Sequence, residues 1–463
     1  MSGRPDAAQQ DAARTLEEMR RMREIEGEIL ARAPENDVGP SLERITAVME
    51  LAGDPQRTYP TIHLTGTNGK TSTSRMIDAI LRESGLSTGR FTSPHLHDIR
   101  ERITLVGKPI PREKFIAAYD EMAPFIEMVD ARSLESGGRR MNFFEVLVAL
   151  AYAAFADAPV DVAVIEVGLG GSWDATNVID AQVAVVTPVD LDHTHLLGDD
   201  VVSIAEEKSG IIKADSVTVS GAQDEDVAQV LIDRVAEVGG NRIVFEGNDF
   251  GVVSREVALG GQQLGLRGLA GEYADLFLPL HGAHQASNLA TAVAAVEAFL
   301  GGGQQRIDTE VLAAACASMT SPGRLEVVRR SPTVLVDAAH NPHGARSLVA
   351  ALDEAFTFTR LVGLVGIVAD KDAVGMLEVL EPALDHVVIT RSSSPRAMAP
   401  DRLGALASEI FGESRVTVVR DLPDALEQAV TLAEAEGMGG GVIATGSVIT
   451  AGEVRMLLGT TDV

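Results

Sequence analysis

The chain contains a single cysteine, Cys316, so it cannot form an internal disulfide or a cluster of thiolate metal ligands. Such sparse use of cysteine is typical of proteins in a reducing cytoplasm. Cys316 lies in the apolar run 311–319, which predicts a buried helix. We therefore interpret it as a small core residue and not as a nucleophile.

Basic residues are also scarce, because 39 Lys and Arg stand against 67 Asp and Glu, for a formal net charge of −28. Nucleic acids and anionic membrane surfaces both favour proteins rich in Lys and Arg, so neither is an expected partner. No apolar stretch reaches the roughly 20 residues that span a bilayer, and residues 1–11 lack the apolar core of a signal peptide. The sequence predicts a cytoplasmic protein that binds anions only at a local basic site or through a divalent cation.

The 463 residues are enough for two or three domains. Residues 1–36 are densely charged and predict a tail or a peripheral helix, with an amphipathic stretch at 15–30. Residues 37–320 are interpreted as one domain and residues 321–463 as a second, smaller one, with a boundary near Ser321-Pro322-Gly323.

Both of these domains show short β-branched runs that alternate with helical stretches, a pattern that predicts α/β folds with parallel sheets. In the first domain, residues 243–280 mix glycine and polar residues with Val and Leu, which indicates antiparallel hairpins attached to that domain, and 284–299 predicts an Ala-rich helix. A site in the cleft between the two domains is expected. The predicted strands are 61–65, 161–167, 182–187, 217–220, 333–337, 361–365, 386–390, 416–419 and 442–445.

A phosphate-binding loop follows the first predicted strand and has the sequence Gly66-Thr67-Asn68-Gly69-Lys70-Thr71. Its glycines let backbone N–H groups close around phosphate oxygens, Lys70 adds a positive charge, and the hydroxyl of Thr71 can reach Mg²⁺. A plain strand–helix turn containing glycine is the alternative. The strand before the loop, the helix after it and the Lys-Thr pair in register favour phosphate binding.

This loop is shorter than the usual pattern and resembles that of ligases that activate carboxylates with ATP, including murein ligases and folylpolyglutamate synthases. A second string, Glu166-Val167-Gly168-Leu169-Gly170-Gly171 with Asp174-Ala175-Thr176-Asn177 after it, resembles the folylpolyglutamate/dihydrofolate synthase family specifically. The motifs cover about residues 38–455 in the family's order. The resemblance implies an α/β fold with a P-loop, Mur-ligase-like ATPase domain and a smaller C-terminal Rossmann-like domain. Ser172 departs from the pattern, since the family usually has Arg there.

The resemblance also implies the activity: an ATP-dependent ligase that adds L-glutamate to dihydropteroate, to reduced folates, or to both, through an acyl phosphate. Residues 37–320 would then bind ATP and the folate-type acid, and residues 321–463 would form the glutamate-ligase domain. We expect a monomer whose partners are these small molecules. The sequence leaves open whether one site serves both acids, and it does not define the length or linkage of the glutamate chain.

Two Mg²⁺ ions and a modified lysine are implied by the same resemblance. Lys208, in the segment 204–212, matches a lysine that is carbamylated in the family. A carbamate supplies oxygen ligands where an ammonium group would repel Mg²⁺, although sequence chemistry alone favours an ordinary surface lysine. The implied metal ligands are Thr71, Ser93, Glu166 and, for the second ion, His193.

The remaining site residues carried over from the family belong to three groups. The predicted nucleotide contacts are Thr67, Asn68, Gly69, Lys70, Thr71, Asn288, Arg324 and Asp337. The predicted substrate contacts are Asn142, Phe143, Phe144, Glu145, Trp173, Asp174, Ala175 and Ser447. The predicted catalytic residues are Lys70, Lys208 and His340, the last near the amino-acid site.

Two other readings share the phosphate loop. A murein-type ligase usually carries a further domain ahead of the loop, and the segment before it is short here. A nucleotide-binding module without ligase chemistry would not need the group formed by Arg324, Asp337 and His340. Phosphate release from ATP with and without glutamate and dihydropteroate separates the three readings.

Overall fold

The computed structural model describes residues 7–34, 37, 39–240, 242–435 and 437–460, with side chains from Arg14 onward. Residues 1–6, 35 and 36 of the predicted N-terminal segment and residues 461–463 at the other end lie outside this part. The described helices include none that is long and apolar enough to cross a membrane.

Residues 7–318 contain two sheets and the helices that cover them. The helices are α1 (Ala7–Leu30), α2 (Glu43–Leu51), α3 (Lys70–Glu83), α4 (Arg112–Glu135), α5 (Phe143–Asp157), α6 (Thr194–Leu197), α7 (Val201–Ser209), α8 (Glu225–Val238), α9 (Ala283–Gly301) and α10 (Thr309–Ser318). The strands are β1 (Thr61–Thr65), β2 (Thr88–Phe91), β3 (Ile103–Leu105), β4 (Lys108–Pro109), β5 (Val162–Glu166), β6 (Val183–Val186), β7 (Val217–Ser220), β8 (Arg242–Phe245), β9 (Gly251–Ala258), β10 (Gly261–Arg267) and β11 (Glu272–Leu278).

The C-terminal part is a single sheet with its own helices. The helices are α11 (Pro342–Ala355), α12 (Ala373–Leu380), α13 (Pro400–Phe411), α14 (Leu422–Glu434) and α15 (Val448–Leu457). The strands are β12 (Glu326–Arg330), β13 (Thr333–Val336), β14 (Arg360–Val365), β15 (His386–Ile389), β16 (Val416–Val418) and β17 (Gly440–Thr445).

The first sheet has the order β4-β3-β2-β5-β1-β6-β7-β8, and it is parallel from β2 to β8. Strand β1 is central, and its Leu64 pairs with Glu166 of β5 while its Thr65 pairs with Val186 of β6. The loops after these three strands therefore emerge side by side at one edge, where ligands bind in open parallel sheets. A separate antiparallel sheet, β11-β10-β9, confirms the predicted hairpins for residues 251–278, whereas residues 243–245 belong to β8, which pairs with β7 in parallel.

The second sheet has the order β12-β13-β17-β14-β15-β16, with β12 antiparallel to the other strands. The loops after β13, β14 and β17 meet at the edge that faces the phosphate loop. The predicted α/β fold is confirmed, and the predicted strands agree with the observed ones to within one or two residues at each end. Cys316 is buried on α10, as expected from its apolar surroundings.

The N-terminal stretch is helical and packs into the first domain. Met22, Ile25 and Ile29 of α1 are buried in the cluster that also contains the apolar face of α4 and most of α5. Arg21 of α1 pairs with Asp120 of α4 at 2.6 Å, and Tyr119 donates a hydrogen bond to Glu28 at 2.6 Å. Burial of the apolar stripe on α1 accounts for its attachment to the domain.

Candidate active site

A cleft of about 820 Å³ lies between the two parts of the chain and is lined by residues from both. Every site residue predicted from the sequence except Phe143 lines this cleft. The ring of Phe143 instead lies 5.0 Å from the guanidinium carbon of Arg102, and Phe143 is buried. The roles assigned to these residues remain predictions, whereas their convergence on one cleft is a property of the structure.

The phosphate loop depends on glycine at two positions. Gly66 has φ 142°, and a Cβ there would lie 2.7 Å from the carbonyl oxygen of Thr187. Gly69 has φ 87°, and a Cβ there would lie 2.6 Å from Oδ1 of Asn288. Side chains at these positions would clash with the loop after β6 and with α9. Only glycine therefore lets the phosphate loop fit between them.

Lys70 folds back over this loop from the first turn of α3. Its Nζ donates hydrogen bonds to the carbonyl oxygens of Gly66 at 2.8 Å and Thr67 at 3.2 Å. Burial lowers the pKa of Lys70, while the charges of Glu166 and Asp192 oppose that change. An ammonium group held by loop carbonyls at a helix N-terminus is well placed for an anionic phosphate.

The loop after β5 supplies a carboxylate that faces Thr71. The Thr71 hydroxyl donates to Oε1 of Glu166 at 2.8 Å, whereas the buried Oε2 has no hydrogen-bond partner in the described chain. Burial raises the pKa of Glu166, and the charge of Lys70 partly offsets it. A buried carboxylate oxygen without a partner is costly, and a hard cation such as Mg²⁺ would satisfy it. The residues therefore fit a divalent cation at this position.

His193 follows β6 and has a left-handed backbone, with φ 50°. Burial and the charge of Lys371 lower the pKa of His193 to about 3, so its imidazole is neutral, as a metal ligand must be. Its Nε2 lies 3.1 Å from Nζ of Lys371. Among the described residues, no group of three or more His, Cys, Asp or Glu is arranged to hold a metal ion. Ions at this site would thus also need hydroxyl and phosphate oxygens.

Lys208 lies at the end of α7 and is buried, so the alternative of a surface lysine does not apply. Its Nζ donates to the carbonyl oxygen of Gly66 at 3.0 Å, within the phosphate loop. Burial, followed by the charge of Lys70, lowers the pKa of Lys208 to about 7. A substantial fraction of this amine is therefore neutral at physiological pH.

The acid-binding end of the cleft is formed by the start of α5 and the loop after β5. Asn142 and Glu145 cap α5 reciprocally, and Phe144 packs so close to Gly168 that a Cβ there would lie 2.5 Å from its ring. The Asp174 carboxylate accepts hydrogen bonds from the backbone N–H groups of Leu169 and Thr176. Trp173 and Ala175 line the cleft beside it.

The second domain contributes Arg324, Asp337, His340 and Ser447. The Asp337 carboxylate accepts backbone hydrogen bonds from Leu325 at 2.8 Å and Ala339 at 2.8 Å, which hold the turn that carries Arg324. Nδ1 of His340 lies 2.9 Å from the carbonyl oxygen of Ala338. Ser447 caps α15 by accepting the N–H of Thr450.

Sequence reasoning missed the polar contacts that join the two domains. Lys371 reaches Asp192 across the cleft at 2.5 Å. Asn341 donates to Asn68 of the phosphate loop at 3.2 Å and to Asp192 at 3.2 Å, and Asn68 lies 2.8 Å from His343. Burial opposes ionisation of Asp192, but the nearby His340 and the charge of Lys371 hold its pKa well below the ordinary value. The only sequence signal for Lys371 was its place in a polar loop just after a strand.

Ser172, the departure from the family pattern, lies outside the cleft lining. Its side chain is exposed, and its hydroxyl donates to the carbonyl oxygen of Glu207 at 3.0 Å. We expect Ser172→Arg to leave all Michaelis constants within about twofold, because an arginine there extends into solvent, and to cost about 1 kcal/mol for the lost hydrogen bond. Steady-state kinetics and thermal unfolding check this, with Ser172→Ala as the control that removes only the hydroxyl. A Michaelis constant for the acid substrate lowered tenfold would show that the position contacts substrate after all.

Comparison with known proteins places these features in a family. Residues 323–448 match the family model described as Mur ligase, glutamate ligase domain. The chain is 46% identical to the dihydrofolate synthase/folylpolyglutamate synthase of Mycobacterium tuberculosis, over 99% of this chain and 98% of that protein. It superimposes with a TM-score of 0.91 on the M. tuberculosis folylpolyglutamate synthase complexed with ADP and AMPPCP, covering 96% of this chain and 99% of that one. The chain also superimposes on an FPGS–AMPPCP–folate complex with a TM-score of 0.81 at 30% identity, covering 94% of this chain and 99% of that one.

A phosphate loop that faces a glutamate ligase domain across a cleft defines an ATP-dependent ligase of the Mur type. The chain belongs to the dihydrofolate synthase/folylpolyglutamate synthase family. The family, the fold class and the ATP-dependent glutamate ligase function predicted from the sequence are thereby confirmed.

Proposed function

We propose that this chain joins the α-amine of L-glutamate to the carboxyl group of dihydropteroate, of a reduced folate, or of both. ATP first converts that carboxylate into an acyl phosphate, glutamate attacks it, and the tetrahedral intermediate expels phosphate. The observation that carries the proposal is the placement of Lys70, Thr71 and the unpartnered Glu166 oxygen in the same cleft as His340 and Ser447 of the glutamate ligase domain. No protein nucleophile is required.

The protein's contribution is charge neutralisation and positioning. Lys70 lies in the phosphate loop and Arg324 lines the same cleft, and negative charge shared by phosphate and carboxyl oxygens is costly without such cations. Thr71, Ser93 and Glu166 would hold one Mg²⁺ and His193 a second. Bound Mg²⁺ polarises phosphoryl oxygens. Thr67, Asn68, Gly69, Asn288 and Asp337 complete the nucleotide site.

A carbamate on Lys208 belongs to the same proposal. Its support is the burial of the side chain inside the cleft and a pKa lowered to about 7, which provides the neutral amine that reacts with CO₂. An ammonium group at this position would add to the charge of Lys70 and oppose a nearby cation, whereas a carbamate offers two oxygen ligands.

The two substrates bind at different ends of the cleft. The acid binds beside Asn142, Phe144 and Glu145, with Trp173, Asp174 and Ala175 on its other side, while glutamate binds near His340 and Ser447. The two domains must approach each other for attack, and the Ser321–Gly323 segment between them is the expected hinge. The net charge of −28 agrees with small-molecule partners in the cytoplasm, and we infer a monomer without nucleic-acid or membrane partners.

Turnover of ATP is expected only when a folate-type acid and L-glutamate are both present, because phosphate release must pass through the acyl phosphate and its capture. The measurement is phosphate release by purified protein with each substrate omitted in turn, using dihydropteroate and a reduced folate separately. If UDP-linked peptide precursors stimulated phosphate release and neither folate-type acid did, the folate assignment would be wrong.

A further inference from the structure

An arginine that no motif indicated holds the acid-binding end of the cleft in place. Arg44 lies on α2, and its Nε donates to Oε1 of Glu145 at 3.0 Å and to Oε2 at 3.3 Å. Its Nη2 donates to the carbonyl oxygen of Gly39 at 3.3 Å. The Arg44 side chain is 14% exposed and that of Glu145 is 5% exposed, so solvent screens this ion pair weakly.

Through Glu145 the same arginine fixes a second residue of the cleft. Oε2 of Glu145 accepts the backbone N–H of Asn142 at 2.8 Å, and Oδ1 of Asn142 accepts the N–H of Glu145 at 2.8 Å. Asn142, Glu145 and Gly39 all line the cleft, as does Ser41. One guanidinium group therefore joins two separate walls of the acid-binding end, one from α5 and one from the segment before α2.

The chain just before α5 is tied to the N-terminal segment a second time. The N–H of Phe143 donates to the carbonyl oxygen of Ala33 at 2.9 Å. Arg32 donates to Asp130 at 2.9 Å and to the carbonyl oxygen of Met141 at 2.9 Å. Arg32 and Asp130 form a buried ion pair much like that of Arg44 and Glu145, but neither of them lines the cleft. The Arg32–Asp130 pair can therefore serve as a control for the Arg44–Glu145 pair, because it is a similar ion pair outside the cleft lining.

Loss of Arg44 would leave Glu145 without its counter-charge. Burial already raises the pKa of Glu145, and the N–H of Asn142 and the charge of Arg44 are what oppose that change. A buried carboxylate that loses its partner either takes up a proton or turns toward water, and both disturb its hydrogen bonds. Asn142 and Glu145 would then no longer present fixed groups to the acid substrate.

We propose that Arg44 is a positioning residue for the acid substrate, which holds Glu145, Asn142 and the 39–41 wall in the geometry that binds the folate-type acid. This inference rests on the proposed function, because it takes that acid as the ligand of this end of the cleft. Residues 39–41, which no sequence motif indicated, are then part of a substrate wall.

The test compares Arg44→Met with Arg32→Met in the full-length protein. Arg44→Met is expected to raise the Michaelis constant for the reduced folate about tenfold, with the constants for ATP and glutamate and the kcat at saturating folate within about twofold. Arg32→Met is expected to lower the thermal midpoint and leave all three Michaelis constants unchanged. Arg44→Lys should recover part of the folate affinity, since a lysine keeps the charge but lacks the planar group whose Nε contacts Glu145 while its Nη2 contacts Gly39.

A double-mutant cycle separates positioning from a general loss of packing. Because Glu145→Gln removes the ion pair but leaves the hydrogen bond from Arg44 to the Gly39 carbonyl, Arg44→Met in that background should add clearly less than its tenfold effect on the Michaelis constant for folate. Additive effects, equal increases for all three substrates, or unchanged kinetics in Arg44→Met would each overturn the proposal. Should Arg44→Met fail to fold, Arg44→Lys with and without Glu145→Gln provides the same comparison. Wild-type protein that ignores folate-type acids would refute the proposed function itself, whereas an active wild type without the Arg44 effect refutes only this inference.

Discussion

Replacing Lys208 with alanine is expected to remove about 99% of the ligase activity, a loss of about 100-fold that is typical for a group supporting a metal centre. The protein should remain folded, because alanine fills no more space and, within the described part of the chain, the Lys208 side chain donates one hydrogen bond, to the Gly66 carbonyl. The proposed carbamate would provide two oxygens beside the phosphate loop, which the Lys208 amine contacts at Gly66, and alanine provides none. The measurement is phosphate release under saturating substrates.

The carbamate also predicts a dependence on pH and CO₂. Only the neutral amine reacts with CO₂, and the pKa of Lys208 is lowered to about 7 by burial and by Lys70. Activity that depends on the carbamate is therefore retained above pH 7 and is lost as the pH falls through 7, with added bicarbonate shifting the loss to lower pH. Labelled bicarbonate should give a carbon-13 carbamate signal in wild type and none in Lys208→Ala.

Lys213 provides the matched control for this experiment. It lies five positions further along the chain, outside the cleft lining, so Lys213→Ala should keep near-normal activity. Acetate is expected to restore part of the Lys208→Ala activity, because it can supply carboxylate oxygens to the vacated space. Full wild-type activity in strictly CO₂-free buffer, together with an active Lys208→Ala, would reduce Lys208 to a buried lysine without a catalytic role.

Replacing Lys70 with alanine is the second change with a large expected effect. Lys70 is the half-buried cation of the phosphate loop, and its ammonium group donates hydrogen bonds to the loop carbonyls of Gly66 and Thr67. Its removal should lower kcat by about 10²–10³-fold, or about 2.7–4 kcal/mol of transition-state stabilisation, as for other lost charge-stabilising donors. The loss should persist at saturating ATP.

The control for Lys70 is Lys114→Ala, which removes one positive charge from an exposed position on α4. This variant lowers the net charge of −28 by the same one unit as Lys70→Ala but leaves the phosphate loop unchanged. It therefore shows whether the overall charge, and not the position of Lys70, accounts for an effect on nucleotide binding. A Lys70→Ala protein with a near-normal rate at saturating ATP would remove this residue from the phosphate site. A drop in rate that disappears at high ATP would assign it to ground-state binding alone.

Many of the residues that line the cleft could be predicted from the sequence, because they lie in short continuous motifs. The phosphate loop between a strand and a helix, the carboxylate at the end of β5 and the serine at the end of β17 each follow from a few consecutive residues. Strand boundaries were equally accessible, since parallel strands that are buried on both faces appear as near-continuous apolar runs. The burial of Lys208 was not accessible, because periodicity on α7 does not show that a loop from β1 will cover its end.

Contacts between distant segments could not be predicted for a related reason. Lys371 and Asp192 are separated by 179 positions, and Arg44 and Glu145 by 101. Local pattern carries no information about which strand ends become neighbours, and this order decides which side chains meet. Conversely, residues that are adjacent in the sequence can be separated in the structure. Phe143 directly precedes Phe144 in a motif, but the two rings leave the first turn of α5 in different directions, and only Phe144 lines the cleft.

The sequence by itself determined the α/β class, the phosphate loop, the glycines that shape it and the family whose chemistry the chain shares, because these depend on short runs of residues. Tertiary structure alone decided that β5, β1 and β6 are adjacent, and this adjacency brings Glu166 to Thr71. It also decided the depressed pKa of Lys208 and the anchoring of Glu145 by Arg44, since desolvation and ion pairing arise only when segments far apart in the chain pack together.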